Sequence, residues 1–142
     1  MMKFLSHAGP WSDNYLDNIV REISEENKNI TVSAHKKVDK SGLWNAYYEQ
    51  LSKLKSVNFE ASHLDEDIII RCRLLRSIDK KDALLHLNAM REAAREVFEK
   101  HCPDIVLSET IDSYIMVLSS YLFVFRKLSK IVKNCQKLSK IV

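Results

Sequence analysis

The chain has 142 residues, a single-domain length that can bury roughly two-thirds of its unfolded surface without disulfide or metal support. Apolar residues make up 46% and charged residues 29%, but only two glycines occur, Gly9 and Gly42, which excludes both a G-x-G-x-x-G dinucleotide loop and a Walker phosphate loop. The formal net charge of +3 hides a split: all 19 acids lie in residues 1–116, whereas residues 117–142 hold Arg126, Lys127, Lys130, Lys133, Lys137 and Lys140 and no acid.

In chain order, Lys3–His7 (KFLSH) reads as a short buried strand that Gly9 and Pro10 break. Ser12 or Asp13 can cap a helix with Leu16, Ile19, Val20 and Ile23 on one face. Asn29–His35 is β-branched and reads as a second strand, followed by a polar loop to Gly42. Leu43–Leu54 has helical spacing of Leu43, Ala46, Tyr47, Leu51 and Leu54, and Trp44, Tyr47 and Tyr48 suit its core and rim. Val57–Ser62 (VNFEAS) alternates like a third strand. In residues 67–78, Ile68, Cys72, Leu75 and Ile78 favour a helix over a strand. Asp79 caps a further helix, with Asp82 at its third position and an apolar stripe of Leu84, Leu87, Met90, Ala94, Val97 and Phe98. Pro103 ends that region, Asp104–Ser108 reads as a fourth strand and Glu109 opens another helix. The alternation predicts an α/β, Rossmann-like open parallel sheet of four to five strands over residues 1–116, with a basic amphipathic helix over 117–142.

Cys72, Cys102 and Cys135 form no C-x-x-C pair, and the apolar start of MMKFLSHAGPW is too short for a signal-peptide core. Ile115–Phe125 is about half a membrane span. The expectation is a cytoplasmic protein with reduced thiols.

Ligands of open parallel sheets bind outside the carboxyl ends of the strands. His7, His35 and His63 close three of the expected strands, and Ser108, Glu109 and Thr110 follow the fourth, so all are candidate ligand contacts on one edge. A metal centre with Glu109 or Asp65 as further ligand is the sharper alternative, but H-x-H and H-x₃-H spacings are absent; no metal and no cofactor is expected. His86 and His101 suit structural or solvated positions. Glu109 and Asp112 share a face of the first helical turn, placed for hydroxyl binding or acid–base work, and equally for the helix dipole. Ser108 lacks a nucleophile elbow. Gly9 allows close backbone approach, and Trp11 offers a face for sugar stacking or a lid over the core. Arg71, Arg73, Arg76, Lys80 and Lys81 could meet phosphate or form a solvated face.

The string CPDIVLSETIDSYIM at 102–116, with HAGPW near the start and RCRLLRSID at 71–79, resembles the N-terminal half of bacterial surface-polysaccharide (capsule and lipopolysaccharide) glycosyltransferases of the GT-B type. The resemblance covers residues 3–116. It implies a Rossmann-like half that binds a sugar or glycan acceptor and faces, across a cleft, a second half that binds the nucleotide-sugar. It places His7–Trp11 and Ser108–Asp112 toward that cleft, usually without a metal. Such enzymes are more than twice as long, and residues 117–142 carry KLSKIV twice, so the sequence reads as a truncated relative with no activity of its own. The tail's basic amphipathic pattern suits an anionic inner-membrane surface or a cap over the sheet; a nucleic-acid partner is not expected, and a homo-oligomer is compatible with the sequence. KFLSHAGPWSD also resembles the opening strand of TIR domains, flavodoxin-like modules of similar length. That makes a doubly wound binding or signalling domain the alternative, although Trp44 and Glu49 lie too early for that family's enzymatic residues.

Overall fold

The computed structural model describes residues 1–8, 15–33 and 35–107. In chain order they form β1 (Lys3–His7), α1 (Tyr15–Ile23), β2 (Lys28–Val32), α2 (Leu43–Leu54), α3 (His63–Arg71), a 3₁₀ turn (Leu75–Ser77), α4 (Lys80–His101) and β3 (Ile105–Leu107). The basic segment 117–142 lies outside these residues.

The described sheet is parallel and three-stranded, in the order β2-β1-β3. Its central strand pairs Lys3–His7 with Lys28–Val32 on one side and Phe4–Ser6 with Ile105–Leu107 on the other. The ladder is closed at its amino end by the Asp104 N–H on the Lys3 carbonyl (2.8 Å) and by the Lys3 N–H on Asp104 Oδ2 (3.0 Å). At the other end the Ala8 N–H donates to the Val32 carbonyl at 3.0 Å.

Alternation along β1 sends its side chains to two faces. Leu5, with Val32 and the half-buried Ile30 and Val106, joins the main core under α2 and α4. Phe4 and Ser6, also buried, turn to the opposite face, where α1 lies against β1 and β2 and Val20 is fully buried. Ile23, expected on the same apolar face as Val20, is instead 64% exposed at the end of α1.

Helix α4 is the spine of the main core. The expected stripe Leu84, Leu87, Met90, Ala94, Val97 and Phe98 is buried throughout, and Ala83, Ala89 and Ala93 let neighbouring backbones approach. Asp79 caps it as expected, its side chain accepting from the Lys81 N–H at 3.0 Å. Helix α2 packs on α4 through Leu43, Ala46 and Tyr47. The segment expected as a third strand, residues 57–62, is irregular; the Val57 N–H bonds to the Leu54 carbonyl in a turn and Ser62 belongs to the cap of α3. The region 67–78 is a helix, as expected, up to Arg71, and then bends into the 3₁₀ turn. Among the described residues no helix is long and apolar enough to cross a membrane.

Candidate functional site

With this strand order, the chain moves from β1 outward to β2 and then crosses back to place β3 on the other side. Adjacent parallel strands whose connections run to opposite sides leave a crevice at their carboxyl ends, the topological switch point. Here β1 and β3 are adjacent and parallel and end at His7 and Leu107, and the connection that follows Leu107 lies outside the described residues. In sequence, Gly9 and Trp11 follow β1, and Ser108, Glu109, Thr110 and Asp112 follow β3. These six expected site residues lie outside the described residues.

His7, half-buried, is the last residue of β1 and is paired in register with Val32. His35 sits on the same edge but three residues beyond β2, exposed, at the start of a turn. Its carbonyl accepts from Val38 and Asp39 N–H at 2.9 and 3.0 Å. His63 does not share this edge. It is exposed in the first turn of α3, because residues 57–62 form no strand to carry it there. The three-histidine convergence expected from their equal spacing therefore does not form. Asp65, the other ligand considered for a metal, is committed elsewhere. Its side chain accepts the Ser62 N–H at 3.1 Å within a capping box and pairs with Arg91. Burial alone would push its carboxyl up, but the Ser62 N–H and the Arg91 guanidinium outweigh that and hold it below the usual carboxylate range. Among the described residues no group of three His, Cys, Asp or Glu side chains is placed to hold a metal ion.

The carboxyl edge is built on a polar clamp whose Ser33 falls in the expected second strand and whose Asp39 and Ser41 fall in the expected polar loop. Ser33 and Ser41 are fully buried. Asp39 Oδ1 accepts from the Ser33 N–H (3.1 Å) and the Ser41 hydroxyl (2.7 Å). The Ser33 hydroxyl donates to the Ala8 carbonyl at 2.5 Å and accepts from the His35 N–H at 3.0 Å. Trp44 Nε1 donates to the Ser33 carbonyl at 2.9 Å, and His101 Nε2 lies 2.9 Å from the Ser41 carbonyl. One network thus ties the end of β1, the end of β2, the start of α2 and the end of α4. The available signal was the run of Ser33, Asp39 and Ser41 ahead of a helix, residue types that bond to nearby backbone.

The clamp fixes Trp44 edge-to-face against Tyr47, with ring centroids 5.4 Å apart. Tyr47 is bonded through its hydroxyl to His86 Nδ1, and Lys36 Nζ stands 5.5 Å from the Tyr48 ring centroid. A cavity of about 180 Å³ opens beside the clamp between Lys36, Asp39, Lys40, Gly42, Trp44 and Asn45. A larger hollow, about 900 Å³, lies elsewhere, at the connection from α1 to the amino end of β2, between Asp17, Arg21, Glu25 and Asn29. It lies at the opposite end of β2 from the clamp, and its size alone does not make it the site.

Compared with profiles of known families, with curated proteins and with solved structures, the chain shows no match. Strand order and edge chemistry are what bear on its function.

Proposed function

We propose that this chain is the acceptor-binding half of a GT-B-like glycosyltransferase for surface polysaccharide, with the glycan held at the carboxyl ends of β1 and β3. The observation that supports the reading is the adjacency of β1 and β3 in the parallel sheet, whose carboxyl ends are followed in sequence by both chemistry-bearing segments. In this reading Trp11 stacks on a sugar ring, Gly9 lets the backbone come close, and Glu109 and Asp112 accept hydrogen bonds from hydroxyls, with Ser108 and Thr110 beside them. His7 and His35 border the same cleft. The nucleotide-sugar binds to a facing half that the described sheet does not supply. A fourth or fifth strand and a basic helix over 117–142, peripheral to the inner membrane, belong to the same reading.

The test is binding by the full chain. Saturation-transfer NMR with a panel of oligosaccharides should show contact, and Trp11→Ala and Asp112→Asn should each weaken it about tenfold or more, the loss of one stacked or charge-assisted contact. Undiminished binding by both variants sinks the reading. Incubation with nucleotide-sugars should give no turnover. A second reading is favoured by the strand order, because 2-1-3 is how flavodoxin-like sheets begin. A TIR-like module of that type would cleave or bind NAD, so NAD consumption by the chain would decide for it.

A further inference from the structure

The corner between α3 and α4 exposes aliphatic side chains that a buried helix pair would be expected to hide. Ile70 is 67% exposed, Leu74 62% and Ile78 37%, each four residues from the last. The corner is not loose. Ile68, Cys72 and Leu75 anchor it in the core. The Cys72 N–H bonds to the Ile68 carbonyl (2.9 Å), the Arg76 N–H to the Cys72 carbonyl (3.0 Å) and the Ser77 hydroxyl to the Leu74 carbonyl (2.7 Å). Leu74 is therefore held outward by a fixed backbone.

The charges around these tips are one-sided. Residues 69–82 carry Arg71, Arg73, Arg76, Lys80 and Lys81 against two acids, Asp79 and Asp82. Asp79 is occupied in capping α4. Arg71 pairs with Asp67 and Lys80 with Glu66, whereas Arg73, Arg76 and Lys81 form no salt bridge among the described residues. A shallow hollow of about 360 Å³ runs between Ile69, Ile70 and Ile78, with Arg76, Lys80 and its ion-pair partner Glu66 on the rim.

We propose that this corner is a docking surface for an anionic lipid bilayer, with Ile70, Leu74 and Ile78 entering the interface and Arg73, Arg76 and Lys81 meeting lipid phosphates. Apolar tips interleaved with cations supply the two signals that stable interfacial binding requires. A protein partner would instead need aromatic anchors and placed polar groups at the centre of the patch, and the patch has neither. The proposal does not depend on the glycosyltransferase reading.

Sedimentation of the full chain with phosphatidylcholine vesicles containing about one quarter phosphatidylglycerol tests it. Binding should be strong near 0.1 M salt and fall steeply toward 1 M, as the Debye length shrinks from about 10 to about 3 Å. Vesicles of pure phosphatidylcholine should bind far less. Arg73→Glu/Arg76→Glu and Ile70→Ser/Leu74→Ser should each lower partitioning about tenfold or more. Circular dichroism melts check that both variants remain folded, as these exposed sites allow. The variant Lys130→Gln/Lys133→Gln/Lys137→Gln should retain most of the binding. Absence of vesicle binding overturns the proposal. Undiminished binding by both corner variants overturns it as well and transfers the contact to residues 117–142.

Discussion

Asp65 concentrates several effects in one side chain. It closes the capping box of α3 and pairs with Arg91 across to α4, while being almost inaccessible to solvent. Because its carboxyl is held below the ordinary value near 3.9, the unfolded chain binds the proton more readily than the folded one. The pair therefore contributes its full stability above about pH 4 and loses it as pH falls through the depressed folded value. Asp65→Asn should destabilise the protein by about 2 kcal/mol at neutral pH. It should also flatten the acid limb of stability against pH. Urea melts between pH 7 and pH 3 would show both, and an unchanged acid limb would assign the loss to other carboxylates. Asp39 is the corresponding residue of the carboxyl edge. Asp39→Ala leaves the Ser33 N–H and the Ser41 hydroxyl without their acceptor, at about 1–3 kcal/mol. Amide exchange should then quicken in residues 35–42 while that of α4 holds.

At the scale of elements, two left-handed residues stand at helix ends with opposite chemistry. Gly42 precedes α2 at φ 84°, and Cys102 follows α4 at φ 47°. A methyl on Gly42 would meet only Lys100 Nζ, at 3.7 Å, so Gly42→Ala should cost the backbone strain alone, about 1–2 kcal/mol. Cys102→Gly relieves the same strain where glycine is the favoured helix stop and should stabilise by up to about 1 kcal/mol. Thermal melts of the pair should shift in opposite directions; a shared direction would locate the energetics in side-chain contacts instead. Helix α4 was readable in the sequence because its cap, dipole and stripe agree with one another. The ends of the strands were not. Asn29–His35 reads as one strand, but β2 stops at Val32 because Asp39 takes the Ser33 N–H and Trp44 takes its carbonyl, so neither remains for the ladder. Residues 57–62 alternate as a strand does, yet a turn at Val57 and the cap at Ser62 consume both ends. The edge holding His7 and His35 followed from strand polarity, whereas His63 was misplaced by the same missing strand. In both cases tertiary hydrogen bonds, which leave no periodic trace, override the local pattern.

For the whole molecule, the position of β1 has a consequence in time. It precedes both of its neighbours in the sheet, and these are synthesised at very different moments. β2 follows directly, but β3 begins only at Ile105, roughly a hundred residues after Phe4, which at 5–20 residues per second is about 5–20 s of translation. Throughout that interval the ribosome displays a nascent β1 with one bare flank, and Phe4 to Ser6 present unpaired N–H and C=O groups of the kind that recruit stray strands. Nascent chains halted before residue 105 should accordingly be cut by protease near β1, and chains halted once residues 105–107 are clear of the ribosome should resist. Early protection of β1 would mean that another segment holds its place. In cells the demand for chaperone shelter should fall on this protein during synthesis, and slower codons ahead of Ile105 would lengthen the exposure without altering a single native contact.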